Sequence, residues 1–197
     1  MVKTHSILVQ ELYNYASPKA KITNMIKNHE IIQIKKGLFF DPQDTTYSTF
    51  SLSALIYGPS YVSFQSAMSF YGLIPERTDA IICAVYNKNK NKKFETPAGN
   101  YYYYHIPNQV FPHDIIIQGE NEQNYLIATP EKAICDAIYQ IKNLKDQSDL
   151  SYLLQDWRID LELLKSLDQN SLHFLLPQYR RKSCDLLQNW LIGGVKI

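Results

Sequence analysis

The residues best able to do chemistry in this sequence are lysines flanking a threonine and an asparagine in one short segment, PKAKITNMIKNH. Projected at 100° per residue, Ala20, Thr23, Asn24 and Lys27 lie opposite Ile22, Met25 and Ile26, with Lys19 and Lys21 on the flanks. Ammonium groups neutralise phosphate charge without reading sequence, whereas threonine and asparagine side chains reach base edges. Lys35 and Lys36 follow in EIIQIKKGLFF, two short extended pieces around a glycine. Lysines on a short helix also serve as an ordinary solvated face, so the pattern leaves both uses open.

Catalytic constellations are absent from the pattern. His5, His29, His105, His113 and His173 are scattered, with no HExxH and no pair at ligand spacing. The seven glycines form no phosphate-binding loop, and GxSxG does not occur. Cys83, Cys135 and Cys184 are isolated and odd in number, which suits buried thiols in a reducing cytoplasm. Glu131 in TPEK is the most prominent carboxylate, and a place in a first helical turn accounts for it as a dipole partner. The expectation is a protein without catalytic residues, metal or cofactor, and not an enzyme.

The elements that must position the lysines are readable from caps and periods. Residues 6–15 place Ile7, Leu8, Leu12 and Tyr15 on one helical side. Ser17 then offers a capping hydroxyl and Pro18 a first helical residue. Two helices, the second short and basic at its start, followed by a basic β-hairpin, is the order of a winged helix-turn-helix, here trimmed of any full helix ahead of the pair. In that motif the second helix enters the major groove of duplex DNA. Residues 1–40 carry six lysines against Glu11 and Glu30, a surplus of four positive charges in a chain whose net charge is only +1. A basic small module joined to an acidic larger one suggests separate partners.

Asp41-Pro42 and the polar residues after it place a boundary between a domain of residues 1–43 and one of residues 44–197. Residues 48–57 read as helical. In YVSFQSAMSFYGLIPE, Ser63 can cap a helix, and Phe64, Ala67, Met68 and Tyr71 form its apolar stripe. Gly72 and Pro75 then end it. Beyond Ala80 the period becomes strand-like: AIICAVY, a basic tip NKNKNKK, FET, YYYYHI, DIIIQ and QNYLIA. These predict a mostly antiparallel sheet joined by hairpins. Thr129 and Pro130 open a further helix with Ile134, Ala137, Ile138 and Ile141 inside, and helices continue to the end. The fold class expected is α+β, a small winged helix-turn-helix followed by a mixed domain with C-terminal helices. No apolar run approaches the roughly 18 residues of a membrane span, and no signal peptide is present. Together these imply a cytoplasmic protein.

Four blocks, PKAKITNMIKNHEIIQIKKGLFF, YVSFQSAMSFYGLIPE, FETPAGNYYYYHI and IATPEKAICDAIY, resemble in order the AbiEi family of antitoxins, over residues 5–141. Those belong to the AbiE-type abortive-infection, type IV toxin–antitoxin systems of bacteria. The resemblance implies a winged helix that represses its own operon and a C-terminal domain required for antitoxin action. It also implies a nucleotidyltransferase-like toxin as functional partner, with no stable complex between the two. Carried over residue by residue, Lys19, Lys21, Thr23, Asn24 and Lys27 would face operator DNA, with Ser17 at the start of the same helix and Lys35 and Lys36 on the wing. The sequence departs from longer relatives in its short N-terminal and C-terminal parts. The alternative is a protein-interaction module whose winged helix no longer binds DNA, and a third possibility is an unrecognised enzyme acting on nucleic acid. On the first reading, residues 44–197 alone should fold and still protect cells from the toxin while losing repression.

Overall fold

A computed structural model describes residues 2–43, 48–120 and 123–193. The N-terminal part runs β1 (Val2–Thr4), α1 (His5–Glu11), α2 (Pro18–Lys27), β2 (Ile32–Lys35) and β3 (Leu38–Phe40). Its three strands form an antiparallel sheet in the order β1-β3-β2, with Val2 and Ile32 both opposite Phe40. The strand β1 has no counterpart in the sequence reading. Gly37, in the left-handed region at φ 82°, lets the chain reverse between β2 and β3.

All three residues of β3 are buried because it is the middle strand and both its faces are covered. Successive side chains of a strand point to opposite faces. Phe39 joins Leu8, Ile22 and Ile31 in a small cluster under the two helices. Leu38 and Phe40, with Ile34, turn the other way into the large core of the following residues. The two sequence units therefore share a core through this sheet. Within α1 only Leu8 is buried, while Ile7 and Tyr15 stand 44% and 51% exposed, contrary to the single inward stripe expected of them.

The remainder consists of α3 (Leu52–Ile56), β4 (Ser60–Val62), α4 (Phe64–Phe70), β5 (Ala80–Val85), β6 (Lys92–Thr96), β7 (Gly99–His105), β8 (Ile115–Gln118) and β9 (Tyr125–Ala128). After these come α5 (Pro130–Gln140), α6 (Gln147–Asp156), α7 (Leu161–Ser166), α8 (Gln169–Leu175), a 3-10 turn (Leu176–Tyr179) and α9 (Lys182–Gly193). The six strands β4 to β9 form one sheet in the order β6-β7-β5-β4-β9-β8. The α+β class holds, but this sheet is mixed: β5 and β7 run parallel, as do β4 and β9, beside three antiparallel pairs. The reason is an order that hydrophobic runs cannot show. After β5 the chain crosses to the outside as β6 and returns as β7 between the two. NKNKNKK is thus a crossover, not a hairpin tip.

The helix α4 follows its reading closely. Phe64, Ala67 and Met68 are buried, and Gly72 closes the helix at φ 75°. α5 is the most buried helix, enclosed by α4, α8, α9 and β9, with Thr129 capping the Lys132 N–H at 3.3 Å. α3 is shorter than the helical run expected over 48–57. No helix among the described residues is long and apolar enough to cross a membrane.

Candidate nucleic-acid interface

The helix α2 holds its polar residues where the projection places them. Ile22 is buried and Met25 and Ile26 pack beside it, while Lys19, Thr23, Asn24 and Lys27 are exposed. Lys19 and Lys27 form no ion pair among the described residues, and nor does Lys36 in the turn of the β2–β3 hairpin. Lys21 is more committed: its ammonium lies 3.7 Å from Glu30 and 5.7 Å from the Tyr15 ring centre. The Thr23 hydroxyl donates back to the Lys19 carbonyl at 3.0 Å. It keeps its lone pairs for an outside donor.

Two expectations for this surface need correction. Ser17 occupies the N-cap position before Pro18, but its hydroxyl makes no capping bond. Its backbone sits at ψ 88°, away from the extended geometry that aims a serine oxygen at the first-turn N–H groups. Lys35 does not stand free on the hairpin either. Its ammonium donates to the Ile56 carbonyl at the end of α3, so it ties the hairpin to the second unit. The exposed cationic set is Lys19, Lys27 and Lys36, with Lys21 partly neutralised.

The densest electrostatics of the molecule lie elsewhere and were not anticipated. Lys132 and Asp136, four residues apart on α5, are both completely buried. Asp136 Oδ2 accepts from Tyr61 Oη at 2.9 Å and Ser63 Oγ at 2.6 Å. Its Oδ1 accepts from Tyr179 Oη and faces Lys132 Nζ at 3.3 Å. Lys132 Nζ also donates to the Val110 carbonyl at 2.7 Å and to Tyr179 Oη at 2.8 Å. Of the three ammonium protons two are donated in hydrogen bonds and the ion pair faces the third, while both carboxylate oxygens accept. The cluster is enclosed and binds β4, α5, the 3-10 turn and the 107–110 segment together.

Ser63 shows how this network overrides local rules. It stands at the N-cap of α4, yet its hydroxyl makes no capping bond and serves the carboxylate instead. A buried carboxylate left short of donors costs more than an uncapped helix end. The next residue, Phe64, is held at φ 53°, a conformation rare for a bulky side chain. Glu131, the carboxylate prominent in the sequence, takes the Asp168 N–H at 3.0 Å and closes another helix junction. A readable signal for the network did exist. In PEKAICDAIY, Lys132 and Asp136 interrupt a run of apolar residues on several sides of one helix, which leaves them no wet face.

Burial, and then the nearby Asp136 charge, push the Tyr61 and Tyr179 hydroxyls well above the ordinary phenol value, so both stay protonated and donating. Cys83, Cys135 and Cys184 are free and buried. Burial pushes the Cys184 thiol from 9.0 to about 12. A proton held more tightly in the folded state stabilises fully below the unfolded value and is lost as pH rises. The melting temperature should therefore fall between pH 9.0 and about 12, and Cys184→Ala should shallow that slope. Circular dichroism melts across this window check it; parallel slopes in parent and variant contradict it. Among the described residues no group of three or more His, Cys, Asp or Glu side chains could hold a metal ion. No protein-family model matches this chain, and no curated protein matches it.

Proposed function

We propose that residues 1–43 are a winged helix-turn-helix and that the chain is a DNA-binding antitoxin and autorepressor of a bacterial type IV toxin–antitoxin operon. On this reading it acts in the cytoplasm and counters a nucleotidyltransferase-like toxin without a stable complex between them. The observation that carries the DNA-binding part is the face of α2: Lys19, Asn24 and Lys27 exposed and, among the described residues, uncommitted, opposite buried Ile22. The element order β1-α1-α2-β2-β3 and the sheet order β1-β3-β2 support it, because they set Lys36 on a hairpin that follows the second helix. The family resemblance of the four sequence blocks supplies the antitoxin part.

The test is titration of full-length protein against the duplex upstream of its own gene at several salt concentrations. Each phosphate contact contributes about 0.9 to the slope of log K against log salt. Lys19→Ala, Lys27→Ala and Lys36→Ala together should flatten that slope by about 2.7 and weaken binding to every sequence. Asn24→Ala should instead cost about 1–3 kcal/mol on the preferred site and little elsewhere. A parent protein that binds no duplex, or a folded triple variant with unchanged affinity, overturns the proposal.

One observation favours the alternative of a protein-interaction module. Ile7, Tyr13 and Tyr15 are 44%, 76% and 51% exposed around α1, an apolar and aromatic surface of the kind that meets protein partners. Co-expression with the toxin separates the readings: protection by the triple lysine variant without repression fits the antitoxin, whereas a parent that itself gives no repression fits the alternative.

A further inference from the structure

Among the described residues, the crossover between β5 and β6 is the most lysine-rich segment. Its sequence, Asn87 to Lys93, alternates asparagine and lysine before ending on a second lysine. The asparagines hold the loop. Asn87 N–H donates to Asn108 Oδ1 at 3.1 Å, and Asn91 Oδ1 accepts from the His105 N–H at 3.1 Å. Lys90 and Lys92 are exposed and form no ion pair among the described residues, whereas Lys93 is spent on Glu95 at 2.7 Å. Lys88 lies with its ammonium 5.5 Å from the centre of the Tyr57 ring.

Tyr57 fixes where this loop sits. It caps the end of α3 and packs on Phe94 and Tyr103, at 5.6 and 5.3 Å between ring centres. The residue before it, Ile56, is the one whose carbonyl receives Lys35 of the β2–β3 hairpin. Hairpin and crossover thus meet at adjacent residues of the same corner, although Lys35 and Lys88 lie far apart in sequence. Lysines on an edge strand such as β6 also deter pairing with other chains. That role covers Lys92 and Lys93, but Lys88 and Lys90 lie in the loop before the strand, where there is no edge to guard.

We infer that residues 88–92 form a second phosphate-contacting element for duplex DNA, continuous with the hairpin and supplied by the second unit. This rests on the DNA-binding reading above and extends it: Lys36, Lys88, Lys90 and Lys92 make one cationic track across the joint. Lys35, lost to Ile56, acts as the anchor that sets the track rather than as a contact. The shared corner keeps the two parts in register, so the duplex meets a preset surface instead of two tethered ones.

The experiment compares three triple variants of the full-length protein on the same upstream duplex, by affinity and salt slope. Lys88→Ala, Lys90→Ala and Lys92→Ala should weaken binding at least tenfold and flatten the slope by about 2.7. Lys142→Ala, Lys145→Ala and Lys182→Ala, which line a cleft between the α5–α6 connection and α9, remove the same charge and should bind like the parent. The third is the Lys19, Lys27, Lys36 variant. If that one alone loses binding, the inference falls and the winged-helix reading stands. Equal loss in the 88–92 and 142–182 variants assigns the effect to bulk charge and overturns the inference. A parent that binds no duplex overturns both. Replacing the same three residues with arginine should restore the slope, which separates lost contacts from lost folding.

Discussion

Asp136→Ala should lower stability by about 3–5 kcal/mol, since it leaves the Lys132 ammonium buried without its counter-charge. It also strands the Tyr61 and Ser63 hydroxyls, both of which donate to Asp136 Oδ2. Each unsatisfied group adds its own desolvation cost. Exchange of both charges for shapes of similar volume, Lys132→Met with Asp136→Leu, should cost less than either single change. A urea titration of the three variants forms the cycle, with coupling read from the midpoints. An Asp136→Ala midpoint equal to the parent's contradicts the closed network.

Phe40→Ala should cost about 3–5 kcal/mol, the usual loss for a buried aromatic truncated to a cavity. The more telling expectation is what melts. Phe40 is buried in the large core, while its neighbour Phe39 belongs to the cluster beneath α1 and α2. Both units should therefore lose stability together, and the fragment 44–197 should be weakened by the apolar surface that Ile34, Leu38 and Phe40 no longer cover. Trp157 and Trp190 report on the large unit, and limited proteolysis after Lys19 or Lys27 reports on the small one. Two separate transitions in the Phe40 variant, with the tryptophan signal unmoved, contradict a shared core.

The parts of this fold legible in the sequence are those set by neighbours within a turn or two. Phe64, Ala67 and Met68 recur at helical spacing and Gly72 takes the left-handed stop, so α4 could be read directly. Thr129-Pro130 announced α5 in the same way. What could not be read depends on partners far along the chain. Ser63 has the right residue type for a cap, but its hydroxyl answers a carboxylate 73 positions away. Lys35 has the right type for a phosphate contact, but its ammonium answers a carbonyl 21 positions away. The parallel pairing of β5 with β7 belongs to the same class, because a strand's hydrophobic run does not say which neighbour it will take. For the candidate site, helical periodicity found the exposed face of α2, and the docking of the hairpin decided which lysine was spent.

The buried cluster also orders events during synthesis. Its members come from Tyr61, Ser63, Val110, Lys132, Asp136 and Tyr179, so it cannot close until the last of these has left the ribosome. Until then the nascent chain must keep Lys132 and Asp136 hydrated, and α5 cannot settle against its neighbours. At the front, only the small cluster of Leu8, Ile22, Ile31 and Phe39 can form earlier, while Ile34, Leu38 and Phe40 wait for the large core. A message broken off before residue 179 would thus yield a chain with an unsealed body and a front hairpin bare on one face, a ready substrate for proteolysis.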